Sequence, residues 1–446
     1  MWREGSRELS STGRRVAGGV GGRTQPDTVP VSLLTTQLDW LLFEASTGGY
    51  EAADARAAAV EDDPKAAVAA LLGADPADIA IVSSATQAWS SVFYGVDWRP
   101  GDAVVTTPQE YGSSVLAALQ VAERRGVEVI VCPETPSGRD LDLAALDALL
   151  ADLGPRCRLV SVVHVPTGSG RVYDAAGAGR VCRSRGVPLL LDACQSAGML
   201  DLDVDALQCD FLTATGRKYM RGPRGSGFLW ASPKMTGPDG PFGPAGHAPE
   251  PAADVRGAVW MPPEEDGGSV GAGPGRGSAA LRTGAARYEQ YEMSFAARAG
   301  LATAAREAAA ALAAGSADRV CWLAARAREA LDALPGVRIV DRGDRLCAIV
   351  AFTLEPGSWA GRHNEAVAAL RRGGAATPTG LPVHVSLSKA PSSPWDYPHR
   401  TPAVGETLRA SFHTFNDLDD VAALVGSVAR LARLGPEGLD GERGGG

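Results

Sequence analysis

Short apolar runs alternate with helical stretches through the first half of the chain. IAIVSS (79–84) leads into ATQAWSSVFYGV, and DAVVTT (102–107) into a segment starting near Tyr111. VEVIVC (127–132) leads into LDLAALDALLADL, and RLVSVVHV (158–165) into AAGAGRVCRSRG. VPLLLDA (187–193), DFLTAT (210–215) and GSGFLWA (225–231) follow in close order. These runs are apolar at nearly every position, so both faces of each strand are expected to be covered. The pattern predicts an α/β domain with a mainly parallel sheet. Ahead of it, LLTTQLDWLLFEA and EAADARAAAVEDDPKAAVAALLG have helical spacing, with a break at GGY (48–50). Behind it, a helical run is predicted over 286–334. Strands at VRIVDR and LCAIVAFTL, a helix at NEAVAALRRGG, strands at VHVSLS and TLRASFH, and a closing helix at LDDVAALVGSVARLARL then suit a smaller α+β lobe.

The length, 446 residues, is enough for two such lobes. We divide the chain into an arm over 1–35, a large domain over 36–290, a small domain over 291–435 and a tail over 436–446. Within the large domain, 235–280 is a long loop rich in glycine and proline. A net charge of −9 argues against a general nucleic-acid surface. Seven cysteines are scattered singly with no CxxC pair, so no metal site is expected. With no charged-then-apolar leader and no apolar run of about 20 residues, a cytoplasmic, membrane-free protein is expected. Lysine is scarce: Lys65, Lys218, Lys234 and Lys389 are the whole set. Few residues can therefore do chemistry that needs a primary amine.

Two segments concentrate that chemistry. In LLLDACQSAG (189–198), Asp192 ends a strand apolar enough to be buried, so its charge needs a cation or hydrogen-bond donors. An aspartate capping the next helix is the plainer reading. Lys218 follows one strand later, in TATGRKYMRGPRGSG. Parallel strands gather their carboxyl ends on one sheet edge, where ligands bind. An amine and a buried carboxylate converging there match pyridoxal phosphate, which needs a Schiff-base lysine and a partner for its ring nitrogen. A loop lysine in a surface ion pair is the alternative. SSATQA (83–88) opens a helix after a strand, so its amides and Thr86 can take a phosphate. Thr215 and Arg217 flank the lysine, and Tyr111 follows another strand, placed to stack on an aromatic ring.

The D-x-x-Q pair (Asp192, Gln195) and the block from Thr215 to Gly227 resemble fold-type I pyridoxal-phosphate enzymes of the class V aminotransferase group. The group includes cysteine desulfurases, isopenicillin N epimerase-like proteins and C–S lyases. The resemblance runs from about 36 to 430. It implies Lys218 as the Schiff-base lysine, Asp192 on the pyridine nitrogen and Gln195 near the ring oxygen. It also implies Ala85, Thr86, Thr215 and Arg217 on the phosphate and Tyr111 at the stacking position. Thr167 in HVPTGSG stands where many relatives carry asparagine near the ring oxygen. Arg409, in TLRASFHTFND, falls where relatives bind the substrate carboxylate. LRTGAARYEQYE (281–292) lies where relatives pass a loop to the partner's phosphate, which implies a homodimer and makes Thr283 and Gly284 candidates. Cysteine desulfurases carry a nucleophilic cysteine ahead of the carboxylate-binding strand; 373–391 has none. GGYEA, QEYG, HVPT and RKYMRGPRG are worded most like actinobacterial enzymes acting on S-conjugated cysteine in ergothioneine and lincosamide-type pathways. The resemblance thus implies β-elimination from an S-substituted cysteine. Decarboxylation-coupled oxidative deamination, transamination and epimerisation are the rival outcomes.

Overall fold

The computed structural model describes residues 29–242, 258–261, 278–355, 359, 361–374, 377–378, 380–388, 395 and 406–441. The arm up to residue 28, most of the 235–280 loop, Lys389 and the last five residues lie outside them. Helix α1 (Val31–Thr47) begins after Pro30, and α2 (Asp62–Leu72) ends on Gly73, whose φ of 65° suits a left-handed cap. Between them the chain breaks at Gly48, φ 106°, and two short helices span Gly49–Ala55 and Ala57–Val60.

The large sheet has seven strands: β1 (Ile79–Val82), β2 (Ala103–Thr106), β3 (Glu128–Val131), β4 (Cys157–Val163), β5 (Leu189–Asp192), β6 (Phe211–Thr215) and β7 (Gly227–Ala231). Their spatial order is β1-β7-β6-β5-β4-β2-β3. Strands β2 to β6 run parallel to their neighbours, whereas β7 is antiparallel to both β6 and β1. The mainly parallel α/β architecture is therefore as the apolar runs predict. Five of the strands are buried at every position, and edge strand β3 is half-exposed. Helices α3 (Ala85–Tyr94), α4 (Gly112–Arg125), α5 (Leu143–Leu153) and α6 (Ala175–Arg185) connect the strands and cover them.

The predicted helical run over 286–334 is two helices, α7 (Phe295–Ala313) and α8 (Ser316–Asp332). Gly315, at φ 82°, breaks them, because a left-handed residue cannot continue a helix. Helix α7 packs on α1 and α2 and buries Leu301 and Leu312 in the large core. The second core takes in α8 from Val320 onward, together with Val165, Val172, Met199, Leu200 and Tyr219 from the large domain. Around it lie a four-stranded antiparallel sheet and two further helices. In sequence, the sheet strands are β10 (Val337–Ile339), β11 (Ile349–Leu354), β12 (Ser386–Ser388) and β13 (Thr407–Ser411), and the helices are α9 (His363–Arg372) and α10 (Leu418–Gly441). The preceding pair, β8 (Ala258–Met261) and β9 (Ser278–Leu281), forms a separate hairpin.

The lobes meet along the segment after β4. Cys347 donates its amide to the Gly170 carbonyl at 2.8 Å, and Val172 to the Arg345 carbonyl at 3.0 Å. A Cβ on Gly170 would lie 2.0 Å from the Ile349 carbonyl oxygen, so only glycine lets the backbones approach this closely. Among the described residues, no helix is long and apolar enough to cross a membrane.

Candidate active site

The carboxyl ends of the parallel strands open on one cavity. Ala85, Thr86, Tyr111, Asp192, Thr215, Arg217 and Lys218 all line it. Seven residues singled out in the sequence thus come from four separate chain segments to a single place.

One wall is the start of α3. Ser84 is its N-cap and accepts a hydrogen bond from the Gln87 amide at 3.1 Å. That bond serves the third helical amide and leaves those of Ala85 and Thr86 for a ligand. Ala85 is buried and Thr86 exposed. Gly227, at the start of β7, passes directly beneath: its Cβ would sit 3.0 Å from the Ala85 nitrogen and 2.8 Å from the Ala214 carbonyl oxygen. Thr215 donates its hydroxyl to the Ser226 carbonyl at 3.3 Å. This ties the two ends of the loop that carries Arg217 and Lys218.

The loop itself is held in a tight turn. Gly222 donates to the Gly216 carbonyl at 2.7 Å, and Arg221 to the Lys218 carbonyl at 2.9 Å. Arg221 has φ 58°, a left-handed conformation uncommon for a residue with a Cβ. The small lobe braces it from outside. His413 stacks between Tyr219 and Phe415, and its Nε2 pairs with the Tyr219 carbonyl at 2.9 Å. The Arg221 guanidinium lies over the Phe415 ring, 5.2 Å from its centroid. Burial holds His413 neutral, lowering its pKa to about 4.

Across the cavity, the Lys218 ammonium lies 5.9 Å from the Tyr111 ring centroid. Asp192 ends β5, is buried, and accepts the Cys194 amide at 2.8 Å. Among the described residues no cation pairs with it. A buried carboxylate in that condition calls for a positively charged guest. Gln195, buried, donates Nε2 to the Thr167 hydroxyl at 3.4 Å. Arg409, on β13, donates Nη1 to the Thr167 carbonyl at 2.7 Å. Thr167 therefore links Arg409 to Gln195, one oxygen for each. Thr283 and Gly284 are not brought to this cavity within one chain. Gly284 donates its amide to Thr236 and sits near the carbonyl of Ala77, before β1.

The residues fit pyridoxal phosphate: an amine, an unmatched buried carboxylate, a helix start for an anion and an aromatic ring surround one cavity. The sequence reading passed over Glu110. It is buried directly before Tyr111 and raised to about 8 by burial and then by the charge of Asp192. Its signal was the QEYG motif, where a glutamate a few residues after a strand reads as an ordinary turn residue.

Residues 43–262 match the family model for aminotransferase class-V. The chain carries a class-V aminotransferase domain. That domain contains every residue lining the cavity. The cysteine desulfurase IscS of Vibrio cholerae serotype O1 (strain M66-2) is 35% identical over 176 residues, 39% of this chain and 42% of the relative. A probable cysteine desulfurase of Methanothermobacter thermautotrophicus is 31% identical over 215 residues, 48% of this chain and 52% of the relative. The matches to these curated relatives thus span about half their length or less. Among solved structures, the apo cysteine desulfurase of Thermococcus onnurineus NA1 superposes with a TM-score of 0.73 at 21% identity, covering 91% of this chain and 92% of that one. The cystine C-S lyase C-DES, in complex with cysteine persulfide, does so with a TM-score of 0.72 at 22% identity, covering 93% and 98%. The class-V domain thus sits in the fold-type I architecture, large and small lobes included.

Proposed function

We propose that the protein is a pyridoxal-phosphate-dependent C–S lyase. It acts on an S-substituted cysteine, of the kind formed in secondary metabolism, and releases a thiol, pyruvate and ammonia. The observation that carries the reading is the convergence of Lys218, Asp192 and the α3 helix start on one cavity. Pyridoxal phosphate, when bound, draws electrons from the bonds at the substrate's α carbon.

The chain's own residues divide the remaining work. The Ala85 and Thr86 amides, Thr215 and Arg217 hold the phosphate anion. The Asp192 carboxylate keeps a proton on the ring nitrogen. Tyr111 covers the ring face, and Gln195 with Thr167 borders the ring oxygen. Arg409, fixed by its bond to the Thr167 carbonyl, takes the substrate carboxylate. Lys218 Nζ would hold the cofactor aldehyde until the substrate's amino group displaces it, and the amine so freed would be the base that takes the α proton. The sulfur leaves with the Cβ–S electron pair and takes up a proton. One water then completes the conversion of the three-carbon remainder to pyruvate and ammonium.

A desulfurase reading requires a thiol that accepts sulfur. The segment 373–391 holds no cysteine. Cys347 is fully buried against the other lobe. Cys194 lines the cavity, but burial and then the charge of Asp192 push its thiol far above the ordinary range, away from the reactive thiolate. A homodimer is part of the proposal. The exposed Leu34, Leu38, Leu41 and Leu42 on α1 give an apolar face in support of it.

The test is product analysis by mass spectrometry after incubation with a panel of cysteine S-conjugates. Equal amounts of thiol and pyruvate are expected. Carbon dioxide without pyruvate would instead assign decarboxylation-coupled deamination. A need for a keto acid would assign transamination, and recovery of the D-conjugate would assign epimerisation.

A further inference from the structure

A second acid lies beneath the cavity, and no role in the reaction above uses it. Glu110 is 1% exposed. Its Oε2 accepts hydrogen bonds from the Thr106 hydroxyl at 2.9 Å and the Ser161 hydroxyl at 3.3 Å. Its Oε1 accepts the Tyr111 amide at 3.0 Å. The Ser161 hydroxyl in turn receives the Trp89 indole N–H at 3.2 Å. One carboxyl therefore ties the ends of β2 and β4 to the turn that presents Tyr111 and starts α4.

The charges around it are few. β2 contributes Thr106, β4 Ser161 and α3 Trp89, and none of these is charged. β5 contributes Asp192, an acid close enough to disfavour ionisation of Glu110. Among the described residues no lysine, arginine or histidine pairs with Glu110. Two neighbouring buried carboxyls without a cation cannot both ionise cheaply. Asp192 faces the cavity and any positive guest in it, whereas Glu110 is sealed below. The proton therefore belongs on Glu110, at Oε2, where the Thr106 hydroxyl rotates from donor to acceptor.

We infer that Glu110 is a positioning residue: a neutral carboxylic acid that locks the Tyr111 turn to the sheet and leaves Asp192 as the single negative charge facing the cofactor ring. The inference rests on the pyridoxal-phosphate reading for its second half only. The first half, a protonated acid in a fixed network, is a property of the protein alone.

The experiment uses the full-length wild type with Glu110→Gln and Glu110→Ala. Infrared difference spectra, wild type against Glu110→Gln without added cofactor, report the carbonyl stretch of a protonated carboxyl. At pH 7 that band is expected in the wild type and absent from the variant, and it should fade as the pH rises through about 8. Titration with pyridoxal phosphate at pH 7 reports the second half. The amide of glutamine mimics the neutral acid and should bind within about two-fold of wild type, whereas alanine, which drops the network, should bind about ten-fold more weakly. The change in affinity between pH 7 and pH 9 should differ between the wild type and Glu110→Gln. A wild type without the carboxyl band at pH 7 overturns the inference. So does a Glu110→Gln protein that binds as poorly as Glu110→Ala, since a charge would then be required. If the wild type shows the band but binds no pyridoxal phosphate, the cofactor reading fails and the protonated acid stands.

Discussion

Glu289→Ala removes the carboxylate at the centre of a buried charge cluster, and the structure sets the size of the effect. Glu289 is 3% exposed and Arg298 1%. Its Oε1 accepts the Ile81 amide at 2.9 Å and lies 3.7 Å from the Arg298 guanidinium, while Oε2 pairs with Lys65 at 3.1 Å. Ile81 belongs to edge strand β1, which feeds the Ser84–Thr86 cradle. Breaking a buried pair from one side costs about 3–5 kcal/mol, because the remaining charge stays buried. Orphaning a buried amide costs about 1–3 kcal/mol, and the two overlap. Arg298 keeps a contact to Glu61, 3.3 Å away and one-third exposed, which moderates the loss. We therefore predict a loss of about 3 kcal/mol, read as a lower urea midpoint at unchanged slope. Glu289→Gln keeps an acceptor for Ile81 and should lose less. Arg306→Ala breaks an exposed pair with Asp63 and should cost under about 1 kcal/mol. A Glu289→Ala midpoint as mild as that of Arg306→Ala would refute the reasoning. A glutamine variant weaker than alanine would do the same.

Other consequences are equally specific. Gly227→Ala pushes a methyl against the Ala214 carbonyl and the Ala85 amide, so cofactor affinity should drop at least about ten-fold by titration, with a stability loss of about 1–3 kcal/mol. Arg409→Lys gives up planar two-point recognition and should raise KM for the S-conjugate with a smaller change in kcat, measured by thiol release. His164 and His413 are both held neutral at about 4, chiefly by burial, while the unfolded chain protonates them near the ordinary value of 6.5. The unfolded state therefore binds more protons between pH 6.5 and 4. Stability should be full above that window and fall as the pH drops through it, by at most about 3 kcal/mol per histidine. Urea midpoints measured across that range check this.

The apolar runs carried most of the large sheet, because strands buried on both faces leave a continuous hydrophobic signature. Asp192 was legible as the one acid ending such a run, and Lys218 as an amine in a chain nearly without lysine. The orientation of β7 was less so. A strand returning after a tight loop looks the same whether it pairs parallel or antiparallel, and GSGFLWA holds no residue that decides it. The break at Gly315 was not read from the 286–334 run, because one glycine among alanines does not reveal its φ. Glu110 stayed hidden for a different reason. Its hydrogen-bond network draws on Thr106, Ser161 and Trp89, which lie on three separate elements, and no local pattern brings them together. The link from Thr167 to both Gln195 and Arg409 is likewise long-range, spanning the two lobes.

Borohydride reduction of the purified holoprotein, followed by peptide mass mapping, tests the central claim most directly. The chain has only four lysines, so the assignment is unambiguous. The account predicts a pyridoxyl adduct on the peptide containing Lys218 and none on those containing Lys65, Lys234 or Lys389. An adduct on another lysine, or no adduct after reconstitution with pyridoxal phosphate, would contradict it.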